Sequence, residues 1–88
     1  MYGQKVYGIK KYDNRGNIEM YPIIYKYPMA ALRYCANDLH FEYDTRDCLF
    51  DVDPENLTIG VYVKDENGMA NSLVARFDVV EMPYITLQ

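Results

Sequence analysis

The side chains that could support nucleophilic catalysis are few in this chain. It has one histidine, His40, one serine, Ser72, and two cysteines, Cys35 and Cys48. A nucleophile needs a base within hydrogen-bond reach. Cys35 and His40 are five residues apart, which places them about 140° from each other around a helix, so they cannot form a local pair. An approach of Cys48 to His40 through the intervening loop stays open, although a solvated histidine and a half-buried cysteine are the commoner arrangement.

Carboxylates are abundant between residues 42 and 56, but their pattern matches no known catalytic or metal site. Nothing in the sequence marks one of them for a raised pKa, and the paired C-x-x-C spacing of a zinc site is absent. The segment that starts at Asp51 resembles the opening of an EF-hand loop, yet Asn56 replaces its glycine and Tyr62 its final glutamate. We therefore expect no catalytic residue, no metal site and no cofactor, and a protein that is not an enzyme.

The distribution of tyrosine and charge is the most informative feature of the composition. Seven of the ten tyrosines fall in residues 1–34, together with six Lys/Arg and two acids, whereas residues 35–88 hold three Lys/Arg and eleven acids. The first part is thus net +4 and the second net −8, which sums to the net charge of −4. Tyrosines anchor interfaces, and separated charges orient a partner. The composition indicates a surface built for contact.

The acidic part favours recognition of a protein partner with a basic surface. Carboxylates clustered on a small rigid domain can occupy a basic groove, imitate phosphates and steer association. The predicted partner-binding residues are Asp44, Asp47, Asp51, Asp53, Glu55, Tyr43 and Tyr62. The leading hypothesis is a small acidic binding protein that inhibits or modulates its partner.

The tyrosines and lysines near the start of the chain favour an alternative. Tyrosines on a sheet can stack on bases while lysines contact phosphates, which is how single strands are held without sequence reading. The residues for this alternative nucleotide or single-stranded nucleic-acid site are Tyr7, Tyr12, Tyr25, Lys10, Lys11 and Lys26. Tyrosine is also an ordinary strand residue, and the sequence pI of about 4.7 is unlike that of dedicated nucleic-acid binders.

The periodicity of apolar residues predicts the elements that would position these side chains. Residues 5–12 and 18–27 are strand-like around a turn at 13–17, and Pro22 places the second of them at a sheet edge or a bulge. A helix is expected over 28–41 and an acidic connecting loop over 42–56. Residues 57–82 form a second hairpin, because apolar residues alternate on both sides of the turn that ends at Gly68.

These elements predict one small α+β domain over residues 1–88, with a Tyr/Lys-rich hairpin at 1–27. The order ββαββ gives a four-stranded, mostly antiparallel sheet with one helix packed on one face. The start of the chain has no signal-peptide pattern and no apolar run is long enough to cross a membrane, so the expected location is the cytoplasm, with no membrane contact. A proline-bearing edge strand and exposed tyrosines also admit a homodimer.

No motif that defines a family is present in the chain. In size, charge and tyrosine content the whole chain resembles the small acidic accessory proteins that phages and mobile elements encode, some of which inhibit host defence nucleases. The resemblance implies an anti-CRISPR-like function through phosphate mimicry. It assigns no residue.

Overall fold

The computed structural model describes residues 4–84, and the side chains of residues 5–82. Residues 1–3 and 85–88 of the predicted domain lie outside the described residues. The chain forms five strands and one helix in the order ββαβββ. These elements are β1 (Gln4–Asp13), β2 (Ile18–Met20), α1 (Pro28–Glu42), β3 (Cys48–Asp53), β4 (Thr58–Lys64) and β5 (Ala70–Tyr84).

All five strands form one sheet, in the order β2-β1-β5-β4-β3, and every neighbouring pair is antiparallel. The longest pairing joins β1 to β5, from Gln4 opposite Tyr84 to Asp13 opposite Ala75. The first and last described strands are therefore neighbours in the middle of the sheet. The expectation of an α+β fold with one helix on an antiparallel sheet is confirmed, but the predicted strand number of four is wrong.

The additional strand is β3, which lies inside the segment 42–56 predicted as an acidic loop. Its residues alternate, with Cys48, Phe50 and Val52 toward the helix side of the sheet and Leu49, Asp51 and Asp53 toward the other side. Acidic side chains lower strand propensity in general, but they are tolerated on the solvent side of an edge strand. The acid content of this segment therefore hid a period-two pattern.

The helix α1 begins at Pro28, which suits the first turn because its missing N–H needs no partner there. It ends at Glu42, one residue beyond the expected range of 28–41. Its buried stripe consists of Ala31, Leu32, Cys35 and Leu39. The spacing of three and four residues keeps these side chains on one side, over β1, β5 and β4.

The core lies between this stripe and the sheet. The sheet contributes Ile9 of β1, Ile59 and Val61 of β4, and Ala75 and Phe77 of β5, which are all at most 1% exposed. On β4 and on β5 the two buried residues are two apart, as expected for the covered face of a sheet. The Phe77 ring also meets the Tyr21 ring edge-on, with 6.1 Å between centroids.

The strand predicted over 18–27 is much shorter than expected. After Met20 the backbone N–H of Tyr21 still donates to the Ile9 carbonyl, at 3.0 Å, and Tyr25 then pairs with Tyr7 through two hydrogen bonds of 2.8 Å. Residues 22–24 loop out between these contacts. Pro22 lacks the N–H that a continuous ladder needs, so β2 ends before it. The position of β2 at a sheet edge agrees with the sequence.

Candidate functional site: the open sheet face and its acidic edge

No helix among residues 4–84 covers one of the two faces of the sheet, and we call it the open face. The register places two adjacent rows of side chains across four strands of this face. The first row runs Tyr12, Arg76, Gly60, Asp51, and the second runs Lys10, Asp78, Thr58, Asp53. Cations therefore lie on β1 and β5, whereas acids extend to β3 at the sheet edge.

Arg76 and Tyr12 form the centre of the cationic part. The Arg76 guanidinium carbon lies 4.5 Å from the centroid of the Tyr12 ring, and its Nη2 donates to Asp78 Oδ2 at 2.9 Å. Lys10 Nζ lies 5.3 Å from the same ring centroid. Asp78 Oδ1 is buried and has no hydrogen-bond partner among the described residues. One aromatic ring thus holds two cations in place on the open face.

The acidic edge consists of Asp47, Asp51 and Asp53. Asp51 and Asp53 belong to β3, and Asp47 lies in the turn before the strand, with its carbonyl accepting from the Lys64 N–H at 2.8 Å. Alternate residues of a strand are about 6.7 Å apart, so Asp51 and Asp53 are neighbours on the open face, whereas Leu49 occupies the position between Asp51 and Asp47. Among the described strands, β3 pairs only with β4. The three acids therefore lie along the rim of the sheet.

The five predicted acids differ in how their carboxylates are engaged. Asp44 Oδ2 accepts from Arg46 Nη2 at 2.8 Å, and Asp53 Oδ2 accepts from Asn56 Nδ2 at 2.7 Å. These side-chain hydrogen bonds lower the pKa of both carboxyl groups. The side chains of Asp47, Asp51 and Glu55 form no hydrogen bond or ion pair within residues 4–84. These three carboxylates are free to meet a partner.

The predicted partner-binding residues lie on different surfaces of the folded domain. The Tyr62 ring lies over Gly60 on the open face, and its Cε2 is 2.8 Å from the position that a Cβ of Gly60 would take. This places the ring beside Asp51, which is opposite Gly60 on β3. Glu55 lies in the turn after β3, and Tyr43 is on the helix side, edge-on to Phe50 with 6.4 Å between centroids. Tyr43 thus does not share a surface with Tyr62.

The alternative tyrosine and lysine set is divided as well. Lys10 and Tyr12 share the open face, whereas Tyr7 and Lys11 have the opposite parity on β1 and lie on the helix side. There Lys11 Nζ lies 5.7 Å from the Phe77 ring centroid. Two further pairs lie along residues 25–34: Tyr25 stacks on Tyr34 at 5.7 Å between centroids, and Lys26 Nζ is 5.8 Å from the Tyr27 ring. The six residues do not form one platform.

Arg76 belongs to this surface but is in neither of the two sets of site residues predicted from the sequence. The alternation around Phe77 already placed it on the side away from the core. Its position opposite Tyr12 depends on the pairing of β1 with β5, whose residues are more than 60 positions apart in the register. No local pattern reports a pairing over such a distance.

The side chains considered for catalysis are separated or buried. Cys35 is buried in the core, and burial raises the pKa of its thiol to about 12. His40 packs edge-on against Phe50, with 5.2 Å between ring centroids. Cys48 and His40 form no hydrogen bond with each other, and residues 4–84 contain no group of three or more His, Cys, Asp or Glu that could hold a metal ion.

The fold and surface define a small α+β domain in which one helix covers one face of a five-stranded antiparallel sheet. Comparisons with known protein families, with curated proteins and with solved structures found no match. Among the described residues, no helix combines the length and the apolar character needed to span a bilayer.

Proposed function

We propose that the protein is a non-enzymatic binding protein that presents its acidic edge to a basic surface of a protein partner. The observation that carries the proposal is the acidic edge, with Asp51 and Asp53 on the outer strand β3, Asp47 in the turn before it, and Tyr62 beside Asp51. None of these three carboxylates forms an ion pair within residues 4–84, so their charge is available. Tyr62 supplies an aromatic contact of the kind that anchors interfaces.

The position on a strand supports a mode of action. A strand paired to a sheet keeps its side chains at fixed intervals, so little conformational entropy is lost when a partner binds. Asp51 and Asp53, held at such an interval, imitate two neighbouring phosphates. We infer that the protein inhibits or modulates its partner by occupying a nucleic-acid-binding groove, with a host defence nuclease as the target class. A cytoplasmic setting belongs to the same proposal, because Cys35 and Cys48 are both free thiols, as a reducing compartment favours.

Reversal of the free charges on the acidic edge is expected to abolish partner binding. The wild-type chain and the variant Asp47→Lys/Asp51→Lys are immobilised and exposed to the same nuclease-treated lysate. Proteins retained by the wild type are expected to bind the variant at least about tenfold more weakly, because like charges repel across the interface. Retained proteins should also lose their own nucleic-acid binding when the wild-type chain is added.

The matched control reverses two exposed acids elsewhere, in the variant Asp38→Lys/Glu66→Lys. Asp38 lies on α1 and Glu66 in the turn between β4 and β5, and the change in net charge is the same. This control should retain the same proteins as the wild type. Equal retention by the acidic-edge variant, with the fold intact by circular dichroism, would show that the acidic edge is not the binding surface.

A second candidate function is the binding of a nucleotide or single-stranded nucleic acid, and the cluster of Tyr12, Lys10 and Arg76 favours it. Here we expect nucleotides to quench tyrosine fluorescence, and Tyr12→Ala to lose the effect, since a base would stack on this ring. Tyr27→Ala is the control, because Tyr27 is 62% exposed and also has a lysine close to its ring. The absence of quenching by all common nucleotides would exclude this candidate.

A further inference from the structure

The open face is apolar over much of its area. Antiparallel sheets that are covered on one side usually turn polar residues toward water on the other. On the three neighbouring strands β2, β1 and β5, the open face instead presents Ile18, Met20, Val6, Tyr12, Val80 and Met82. Ile18 is 58% exposed and Met20 is 44% exposed. The composition is that of a surface that becomes covered.

The apolar region is centred on Gly8. A Cβ at this position would lie 2.6 Å from Cε of Met82 and 3.3 Å from Cε of Met20, so both methionine side chains lie over the glycine. Methionine is flexible and polarisable, and it adapts its shape to a facing surface. Because Gly8 has no side chain, Met20 of β2 and Met82 of β5 can both lie over this part of the open face.

The two sides of the open face carry charges of opposite sign. Lys10 and Arg76 are cations on β1 and β5, whereas Asp51 and Asp53 are acids on the outer strand β3. In an isologous dimer the same patch is used by both copies, and a two-fold axis brings one side of the patch against the other. When the axis runs along the strands between β5 and β4, β1 of each copy lies over β3 of its partner, so Lys10 faces Asp53, and Arg76 faces Gly60, one strand away from Asp51.

We propose that the open face binds the open face of a second copy of this chain, as a two-fold symmetric dimer. The apolar residues of β1 and β5 supply the buried area, and the four charges fix the orientation. Asp51 and Asp53 also belong to the acidic edge, so the second copy and a basic partner compete for the same strand. Self-association would then set the concentration at which the acidic edge becomes available.

Other occupants fit this face less well. A nucleic acid that lies across the face would meet Asp51 and Asp53, and a uniformly basic protein would meet Lys10 and Arg76. Pairing of two β3 edges would bring the acids of both copies together, which is unfavourable. The chain itself provides a surface with both signs in the complementary positions.

The test uses two variants, one that alters the two cations of the open face and one that alters its two β3 acids, measured by sedimentation velocity of the purified chain without any partner. One is Lys10→Glu/Arg76→Gln. The other is Asp51→Lys/Asp53→Asn, in which asparagine keeps an oxygen that can accept the hydrogen bonds of the turn. The wild type is expected to sediment at twice the monomer mass of 10.3 kDa at about 100 µM. Each variant alone should self-associate at least about 30-fold more weakly, and an equimolar mixture should restore the dimer as a heterodimer.

The control variant Lys26→Glu/Arg33→Gln makes the same change in charge at exposed positions outside the open face, and it should dimerise like the wild type. Thermal unfolding of each variant checks that its fold is retained. A monomeric wild type at about 100 µM would overturn the proposal, and so would a mixture that gives no heterodimer. Binding of a basic peptide to a monomeric open face would assign the face to that partner instead. Because the measurement contains no partner protein, a negative result leaves the proposed partner binding of the acidic edge to its own experiment.

Discussion

Replacement of Phe77 by alanine is expected to remove about half of the free energy of unfolding of the fold. Phe77 is 1% exposed on β5, the central strand, and its ring contacts Tyr21 while Lys11 lies over it. Truncation of a buried phenylalanine costs about 3–5 kcal/mol, from lost transfer free energy and from the cavity that remains. The total free energy of unfolding of a domain this small is about 5–10 kcal/mol. The midpoint of urea unfolding should therefore fall by roughly half.

The chain offers a control with the same chemical change. Phe41 lies on α1 and is 89% exposed, so Phe41→Ala should change the free energy of unfolding by no more than about 0.5 kcal/mol. Equal shifts for the two variants would show that Phe77 is not in the core. Such a result would contradict the placement of the helix on this face of the sheet.

Introduction of a carboxyl group at Ala31 is expected to unfold the protein at neutral pH. Ala31 is 0% exposed where α1 meets the sheet, and residues 5–82 place no cation among the buried residues around it. Burial of an unpaired charge costs several kcal/mol, which approaches the total stability of the domain. Glutamate is a good helix former, so the loss in Ala31→Glu would come from the buried charge and not from helix propensity.

The pH dependence of this variant distinguishes a buried charge from a steric clash. Burial raises the folded-state pKa of a carboxyl group above its unfolded value. The loss of stability is therefore full above the folded-state pKa and diminishes as the pH falls through it, because the neutral acid is tolerated better. Circular dichroism should show partial refolding of Ala31→Glu near pH 4, whereas Asn37→Glu on the exposed side of α1 should stay folded throughout. Loss of structure that is independent of pH would point to a clash alone.

The elements that local patterns specify could be predicted from the sequence. The helix agrees within one residue, because Pro28 marks its start and the stripe from Leu32 to Leu39 has helical spacing. The alternation of Ile59 and Val61 likewise predicted β4. Both patterns arise from burial on one side of a single element, which neighbouring residues report directly.

The two errors have physical causes. The sequence predicts a loop in place of β3 because Asp51 and Asp53 are poor strand residues, and it does not show that they are on the solvent side of an edge strand. The strand expected over 18–27 is too long because apolar residues such as Ile23 and Ile24 continue past Pro22. In the structure these two isoleucines are 53% and 50% exposed.

The candidate site could be predicted only in part. The acids of β3 were identified by their number, and Tyr62 by its place in an alternating strand. Their separation from Tyr43 depends on the sheet register, as does the meeting of Tyr12 with Arg76. Register between strands distant in sequence is decided by the burial of the whole face, and no single segment carries that information.

The pairing of β1 with β5 also determines how the chain reaches its native state. β1 is formed by the first described residues and β5 by the last. The two strands can pair only when the ends of the long segment between them come together, which costs conformational entropy. Folds dominated by such non-local pairings fold more slowly than helical bundles of similar size. During synthesis, β1 keeps one edge unpaired until β5 has left the ribosome. The other edge of β1 is covered by β2 over three residues only, because the pairing is interrupted at Pro22. Before β5 is made, β1 therefore has little pairing on either edge.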